Sequence, residues 1–316
     1  MNLNALIAKI AEGYTTIINS NYPADNELNN FFRKNRNLGS KDRKIAAETI
    51  YGILRNKILL EKILCSANLN ASVLNLINCY FIFLKSEYNK LTPINFEISI
   101  LEEIIKKTDK ATVYRILSAA EKLITELYQN NNIKNLSILY SLPEWYCAEC
   151  IKIFGIPQAI EYFKSLKQSP PITIRVNTLK ITTADCQKEI LNEGYITQKT
   201  KYSDCGLIFE KRLNANNLKT FKNGFFEIQD EGSQLISILT NAQPQMKVLD
   251  ACAGAGGKTL HLSALMKNKG LLYAADINHK RLENLKKRAN RAGAFNIRCS
   301  LINEFDNDFK KKYKNF

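Results

Sequence analysis

A chain of 316 residues, 45% of them hydrophobic, is long enough for two or three domains with real cores and too apolar to be disordered. Its net charge of +15, from 45 basic and 30 acidic side chains, favours an anionic partner, with nucleic acid the first class to weigh and a lysine-rich solvated surface the plainer alternative. Eight cysteines without a secretory leader in Met1–Gly13 imply free thiols in a reducing cytoplasm, and the most apolar segment, Leu74–Leu84, is too short and too interrupted by Asn75 and Asn78 to cross a bilayer.

From residue 1 to about 130 the chain reads as all-helical. Apolar residues recur at spacings of three and four, as in Leu3, Leu6, Ile7 and Ile10, and glycine and proline are scarce. Gly39-Ser40-Lys41-Asp42 marks a helix start ahead of Ile45, Ala46, Thr49, Ile50, Ile53 and Leu54, flanked by Arg43, Lys44, Arg55 and Lys57. Residues 131–168 form a helical connector in which Ser141, Pro143 and Glu144 signal a start, and Trp145, the only tryptophan, is assigned to packing rather than base stacking. Cys147 and Cys150 make one C-x-x-C pair; with only His261 and His279 elsewhere, a zinc site lacks ligands and no metal is expected.

Pro170-Pro171 punctuates the next boundary. Residues 169–222 read as a small α/β module, with a strand at Ile172–Val176, a helix at Thr183–Leu191, and short strands at Tyr195–Thr200 and Gly206–Phe209. Asn223-Gly224 turns the chain into Phe225–Ile228, and Gln229–Thr240 reads as a helix with an acidic first turn.

Met246–Asp276 carries the chemistry. An apolar run ends at Asp250, small residues follow to Gly257, a helical pattern opens at Lys258-Thr259, Gly270 stops it, and a second apolar run ends at Asp276. This is strand, glycine loop, helix, strand and acid, one βαβ unit of a nucleotide-binding type of sheet. Small residues let backbone amides approach a ligand, the helix start favours an anionic group, and an acid at the second strand's end can accept from ribose hydroxyls. A P-loop would need glycine at Cys252, and a dinucleotide fingerprint would need glycine at Thr259. What remains is S-adenosylmethionine, held by Cys252, Ala253, Gly254, Ala255, Gly256, Gly257, Lys258 and Asp276; a βαβ turn without ligand is the plain alternative. The helix Asn278–Gly293 is rich in cations that complement its dipole, meet RNA phosphate or simply solvate the surface. Asn296–Asn303 reads as a third strand.

V-L-D-A-C-A-G-A-G-G-K-T (Val248–Thr259) closely resembles the V-L-D-x-C-A-A-P-G-G-K-T motif of the RNA cytosine-5 methyltransferases of the RsmB/Sun family. Gln229–Gln234 resembles the family's Q-D-E-A-S-Q, and Arg175–Lys180 its R-V-N-T-L-K; the three motifs stand in the family's order and the resemblance covers nearly the whole chain. It implies a helical, NusB-like RNA-binding domain over 1–130, an α/β module, and from 223 to 316 the first part of a Rossmann-type methyltransferase domain. It also implies S-adenosylmethionine-dependent methylation of cytosine C5 in RNA, 16S ribosomal RNA foremost, by a monomeric cytoplasmic enzyme. Gly254-Ala255 replaces the motif's Ala-Pro, and Asn303 stands where an aspartate commonly contacts the adenine side; Arg175 and Asn177 either help form the RNA groove or pair locally.

The resemblance further implies a cysteine nucleophile that adds to cytosine C6, supplied from Pro-Cys and Thr-Cys contexts. Neither dipeptide occurs here. The chain therefore reads as truncated before that motif and inactive by itself, a noncatalytic RNA-binding protein being the other reading.

Overall fold

Apolar residues three and four apart give helices of the first half a buried stripe, as at Leu3, Leu6, Ile10, Tyr14 and Ile17. A computed structural model describes residues 2–86, 98–168, 170–211 and 213–302. The chain divides into two compact units, Met1–Ser169 and Pro170–Phe316. The first contains α1 (Leu3–Ile18), α2 (Ala24–Lys34), α3 (Ser40–Ser66), α4 (Val73–Lys85), α5 (Ile98–Lys107), α6 (Lys110–Gln129), α7 (Ile133–Tyr140) and α8 (Glu144–Lys167). The long α3 is the hub, packing on α1, α4, α6 and α7 through Ile45, Ile50, Ile53, Leu60, Ile63 and Leu64. Side chains at Asn2, Ser72, Asp109 and Asn132 each accept the amide three residues on, so four helix starts satisfy a donor that would otherwise lack a partner. Lys167, at the end of α8, is buried and donates to the Arg55 carbonyl at 2.7 Å and Asn56 Oδ1 at 2.9 Å of α3; burial, with Arg55 nearby, pulls its pKa down to about 7.

Two readings change here. Ser141 does not cap α8: it closes α7 in the left-handed conformation, and its Oγ accepts the Leu59 amide, while Pro143 precedes the first turn of α8. Trp145 is not packed inside. It is 69% exposed, with its ring edge-on to Tyr146, because the buried stripe of α8 begins at Cys147 and Cys150. Both cysteines are buried, and among the described residues no group of three or more His, Cys, Asp or Glu is placed to hold a metal. No described helix is long and apolar enough to cross a membrane.

The second unit holds two sheets. β1 (Ile172–Val176), α9 (Thr183–Asn192), β2 (Thr197–Lys199), β3 (Gly206–Phe209), α10 (Lys219–Lys222) and β4 (Phe226–Ile228) form an antiparallel sheet in the order β2-β3-β1-β4 over a core of Ile174, Val176, Leu207, Phe209 and Phe226. α11 (Glu231–Leu239) leads into β5 (Lys247–Asp250), α12 (Gly257–Leu265), β6 (Leu271–Asp276), α13 (His279–Ala292) and β7 (Ile297–Leu301). These strands are parallel in the order β5-β6-β7, two successive βαβ units of a Rossmann-like sheet. Parallel strands joined by covering helices read as continuous apolar runs, which is why β5, α12, β6 and α13 stand where the sequence places them, whereas α10 stands where no element is expected. β2 is shorter at both ends than Tyr195–Thr200, and α11 starts one residue after its cap Asp230. Asn303 and the lysine-rich end lie outside the described residues.

Candidate functional site: a glycine loop between two acid-tipped strands

β5 and β6 end side by side, with Asp250 level with Ala274. Asp250 Oδ2 accepts the Thr259 hydroxyl of α12 at 2.7 Å, tying the strand end to the first turn of the helix beyond the loop. Asp276 is 7% exposed; its Oδ2 accepts the Gly254 amide at 2.7 Å and its Oδ1 the Asn278 amide at 2.8 Å. The loop is held by backbone as well: the Ala253 amide donates to the Ala275 carbonyl, and that of Gly256 to Ala253, each at 2.9 Å. Gly256 sits at φ +91° with Leu285 of α13 so close beneath that a Cβ would lie 2.7 Å from Leu285 Cγ, so no side chain fits. By contrast, a Cβ added to Gly254 or Gly257 would meet nothing within 4 Å. One side of the loop is packed and the other is open, beside a helix start that no side chain caps.

The residues flagged around this loop come together. Ala253, Gly254, Ala255, Gly256, Gly257 and Asp276 form one cradle, with Cys252 and Lys258 exposed at its rim. Each oxygen of the Asp276 carboxylate accepts one amide, Oδ2 from the loop and Oδ1 from the residue before α13, and keeps capacity for a ligand hydroxyl. The open face, the amides of a helix start and a carboxylate at the neighbouring strand end fit an adenosyl group carrying an amino-acid tail.

Beneath the loop is a buried polar joint. Arg175, 1% exposed, donates from Nε to Gln229 Oε1 at 2.6 Å, and burial lowers its pKa to about 10. Asn177 Nδ2 donates to the carbonyls of Gly224 (2.8 Å) and Ala292 (2.7 Å), and Lys180 Nζ to those of Asn223 (2.9 Å) and Arg291 (2.7 Å). One short motif after β1 thus pins the C-terminal end of α13. Asp230 caps α11, Glu231 accepts the amides of Tyr202 and Ser203, and Gln234 Oε1 accepts the Ser203 hydroxyl at 2.7 Å. Glu227 of β4 receives Arg288 Nη2 at 2.9 Å and Arg291 Nη2 at 2.5 Å.

Two family descriptions match this chain: "16S rRNA methyltransferase RsmB/F" over residues 237–314, and an RsmF/B-like ferredoxin-like domain over residues 142–216. A probable ribosomal RNA small subunit methyltransferase B of Bacillus subtilis is 27% identical over 271 residues, which are 82% of this chain and 60% of that protein. Over these segments the chain is similar to the RsmB/Sun family of ribosomal RNA cytosine-5 methyltransferases. A human 28S rRNA (cytosine(4447)-C(5))-methyltransferase is 28% identical over 57% of this chain and 22% of its own length, so the chain spans from about a fifth to three fifths of these two relatives. The solved structure of PH0851 shares the fold, with a TM-score of 0.64 at 23% identity over 95% of this chain and 68% of that one.

Here the R-V-N-T-L-K residues Arg175 and Asn177 do not line a groove. Both are buried: Arg175 donates from Nε to Gln229, its Nη1 meeting no acceptor among the described residues, and Asn177 spends both amide hydrogens on backbone carbonyls. The cations of α13 divide: Lys280, Arg281, Lys286 and Lys287 are exposed, whereas Arg288 and Arg291 turn inward to Glu227. Glu227, Thr259 and His261 were not flagged in the sequence; a charged residue in an otherwise apolar strand, as in Phe225-Phe226-Glu227-Ile228, was the available signal for the first. Asn177→Ala strands two buried carbonyls and is expected to lower the unfolding free energy of the C-terminal unit by about 2–3 kcal/mol, measured by urea denaturation.

Proposed function

We propose that the loop from Cys252 to Lys258, with Asp276, holds S-adenosylmethionine, and that the protein to which this chain belongs methylates C5 of cytosine in small-subunit ribosomal RNA. The observation that carries the reading is Asp276, buried at a strand end, organising an open-faced glycine loop while keeping acceptor capacity. The family supports the chemistry, and the RsmB/F description and the Bacillus subtilis relative support the 16S assignment. In this reading Asp276 accepts from the ribose hydroxyls, the first turn of α12 receives the carboxylate of the amino-acid tail, and Asn303 stands by the adenine. When bound, the cofactor supplies an electrophilic methyl group. The loop amides and Asp276 orient it, and Leu285 beneath Gly256 keeps the packed side of the loop dry. The helical unit, NusB-like in this reading, and the exposed cations of α13 contact RNA phosphates in a monomeric, cytoplasmic protein.

A cysteine thiolate that adds to cytosine C6 completes this chemistry. None of the eight cysteines here follows proline or threonine. For these 316 residues alone the reading is therefore cofactor and RNA binding without methyl transfer. Calorimetry with S-adenosylmethionine on this chain tests the first part: micromolar uptake is expected, and none at millimolar cofactor would overturn it. Transfer of labelled methyl groups to cytosine in 16S RNA tests the second, with none expected from these residues unaided. Transfer by this chain unaided would contradict the assignment of the nucleophile.

A further inference from the structure

Arg288 sits on the same face of α13 as Leu285, three residues earlier and directly under Gly256. Its Nη1 donates to the carbonyl of Ala255 at 2.7 Å. The rest of its guanidinium engages Glu227 Oε2 through Nε at 3.2 Å and Nη2 at 2.9 Å. Glu227 is 2% exposed and is itself fixed in β4, whose register pairs it with Arg175 of β1. Arg291, one turn on, takes the other carboxylate oxygen and stacks on Phe221 with its guanidinium carbon 3.9 Å from the ring centroid. The planar peptide between Ala255 and Gly256 is thus held at both ends: its carbonyl by Arg288, its N–H by the Ala253 carbonyl. The next residues open α12, so this peptide sets where the helix's first amides point.

We infer that Arg288 is a positioning residue for the cofactor loop, bridging the Ala255 carbonyl to the buried Glu227 of the antiparallel sheet, so that the loop is braced from the neighbouring module rather than by its own backbone alone. The inference rests on the S-adenosylmethionine reading for its consequence, but not for its geometry. A charge-assisted bond to a carbonyl in a half-buried site has no equal replacement from water.

The test uses the full chain. Arg288→Met is expected to raise the calorimetric Kd for S-adenosylmethionine about tenfold, the effect of losing one charge-assisted hydrogen bond. It should also speed amide exchange in the peptide 251–258 while leaving β1 and β4 protected. Arg288→Lys should recover part of both. Should Arg288→Met disturb folding, Glu227→Gln combined with it removes the pair together and carries the same two readouts. Unchanged affinity in Arg288→Met, alongside a loss of binding in Asp276→Ala, overturns the inference. If the unaltered chain takes up no cofactor, the cofactor reading fails, and loop exchange alone decides: faster exchange upholds the brace, and unchanged exchange removes it.

Discussion

Asp276→Ala is expected to weaken binding of S-adenosylmethionine about a hundredfold and to destabilise the C-terminal unit as well. The carboxylate is the acceptor for two amides, at Gly254 in the loop and at Asn278 before α13, both within 2.8 Å. A bond to a charged group is worth about 1.5–3 kcal/mol, and removing the acceptor leaves each donor without its partner. The loop would lose its tie to β6 at the point where it must face a ligand, and the ligand would lose the acceptor of its ribose hydroxyls. Asp276→Asn separates the two losses. It keeps an oxygen for one amide but turns an NH2 group toward the other, so about a tenfold weakening is expected, with a smaller loss of stability. Calorimetry and urea denaturation on the three proteins decide it, and wild-type affinity in Asp276→Ala would refute the site.

The βαβ unit around this aspartate is legible in the sequence for a physical reason. Strands buried in a parallel sheet are apolar runs, a tight turn into a helix needs glycine, and an acid at a strand end breaks the apolar pattern where a ligand is met. Val248–Asp250, Gly254–Gly257 and Leu271–Asp276 meet all three conditions within about thirty residues. The joint beneath the loop is not legible in that way. Asn177 reaches carbonyls 47 and 115 residues away, and Glu227 pairs with Arg288 across 61. Composition shows that Arg288 is cationic but not that a carboxylate is buried next to it, so it looked like its solvated neighbours Lys286 and Lys287. Trp145 fails differently. Its size argues for packing, but the phase of α8 turns Cys147 and Cys150 inward and leaves the indole on the outer face.

The same joint should make the C-terminal unit sensitive to acid, through His261. Its imidazole is 2% exposed on α12, with Nε2 3.6 Å from Cys205 Sγ. Burial, reinforced by the nearby Arg175 guanidinium, holds its pKa down to about 3, against 6.5 for an ordinary imidazole. The folded state therefore binds this proton less readily than the unfolded chain. The stability that His261 lends by staying neutral is complete above pH 6.5 and is lost as the pH falls from there toward 3. Within that window the loss runs at about 1.4 kcal/mol per pH unit, or on the order of 3 kcal/mol by pH 4. That is enough to unfold a marginal domain. Urea midpoints at pH 7, 6, 5 and 4, assigned to this unit by amide exchange in β5–β7, should show the slope. His261→Gln should flatten it, whereas His279→Gln, at an exposed imidazole on α13, should leave it intact. Carboxylates that titrate in the same range contribute equally to all three proteins, so the difference between the two variants isolates His261. An equal slope in wild type and His261→Gln would mean that the histidine is charged in the folded state, which the buried Arg175 beside it opposes.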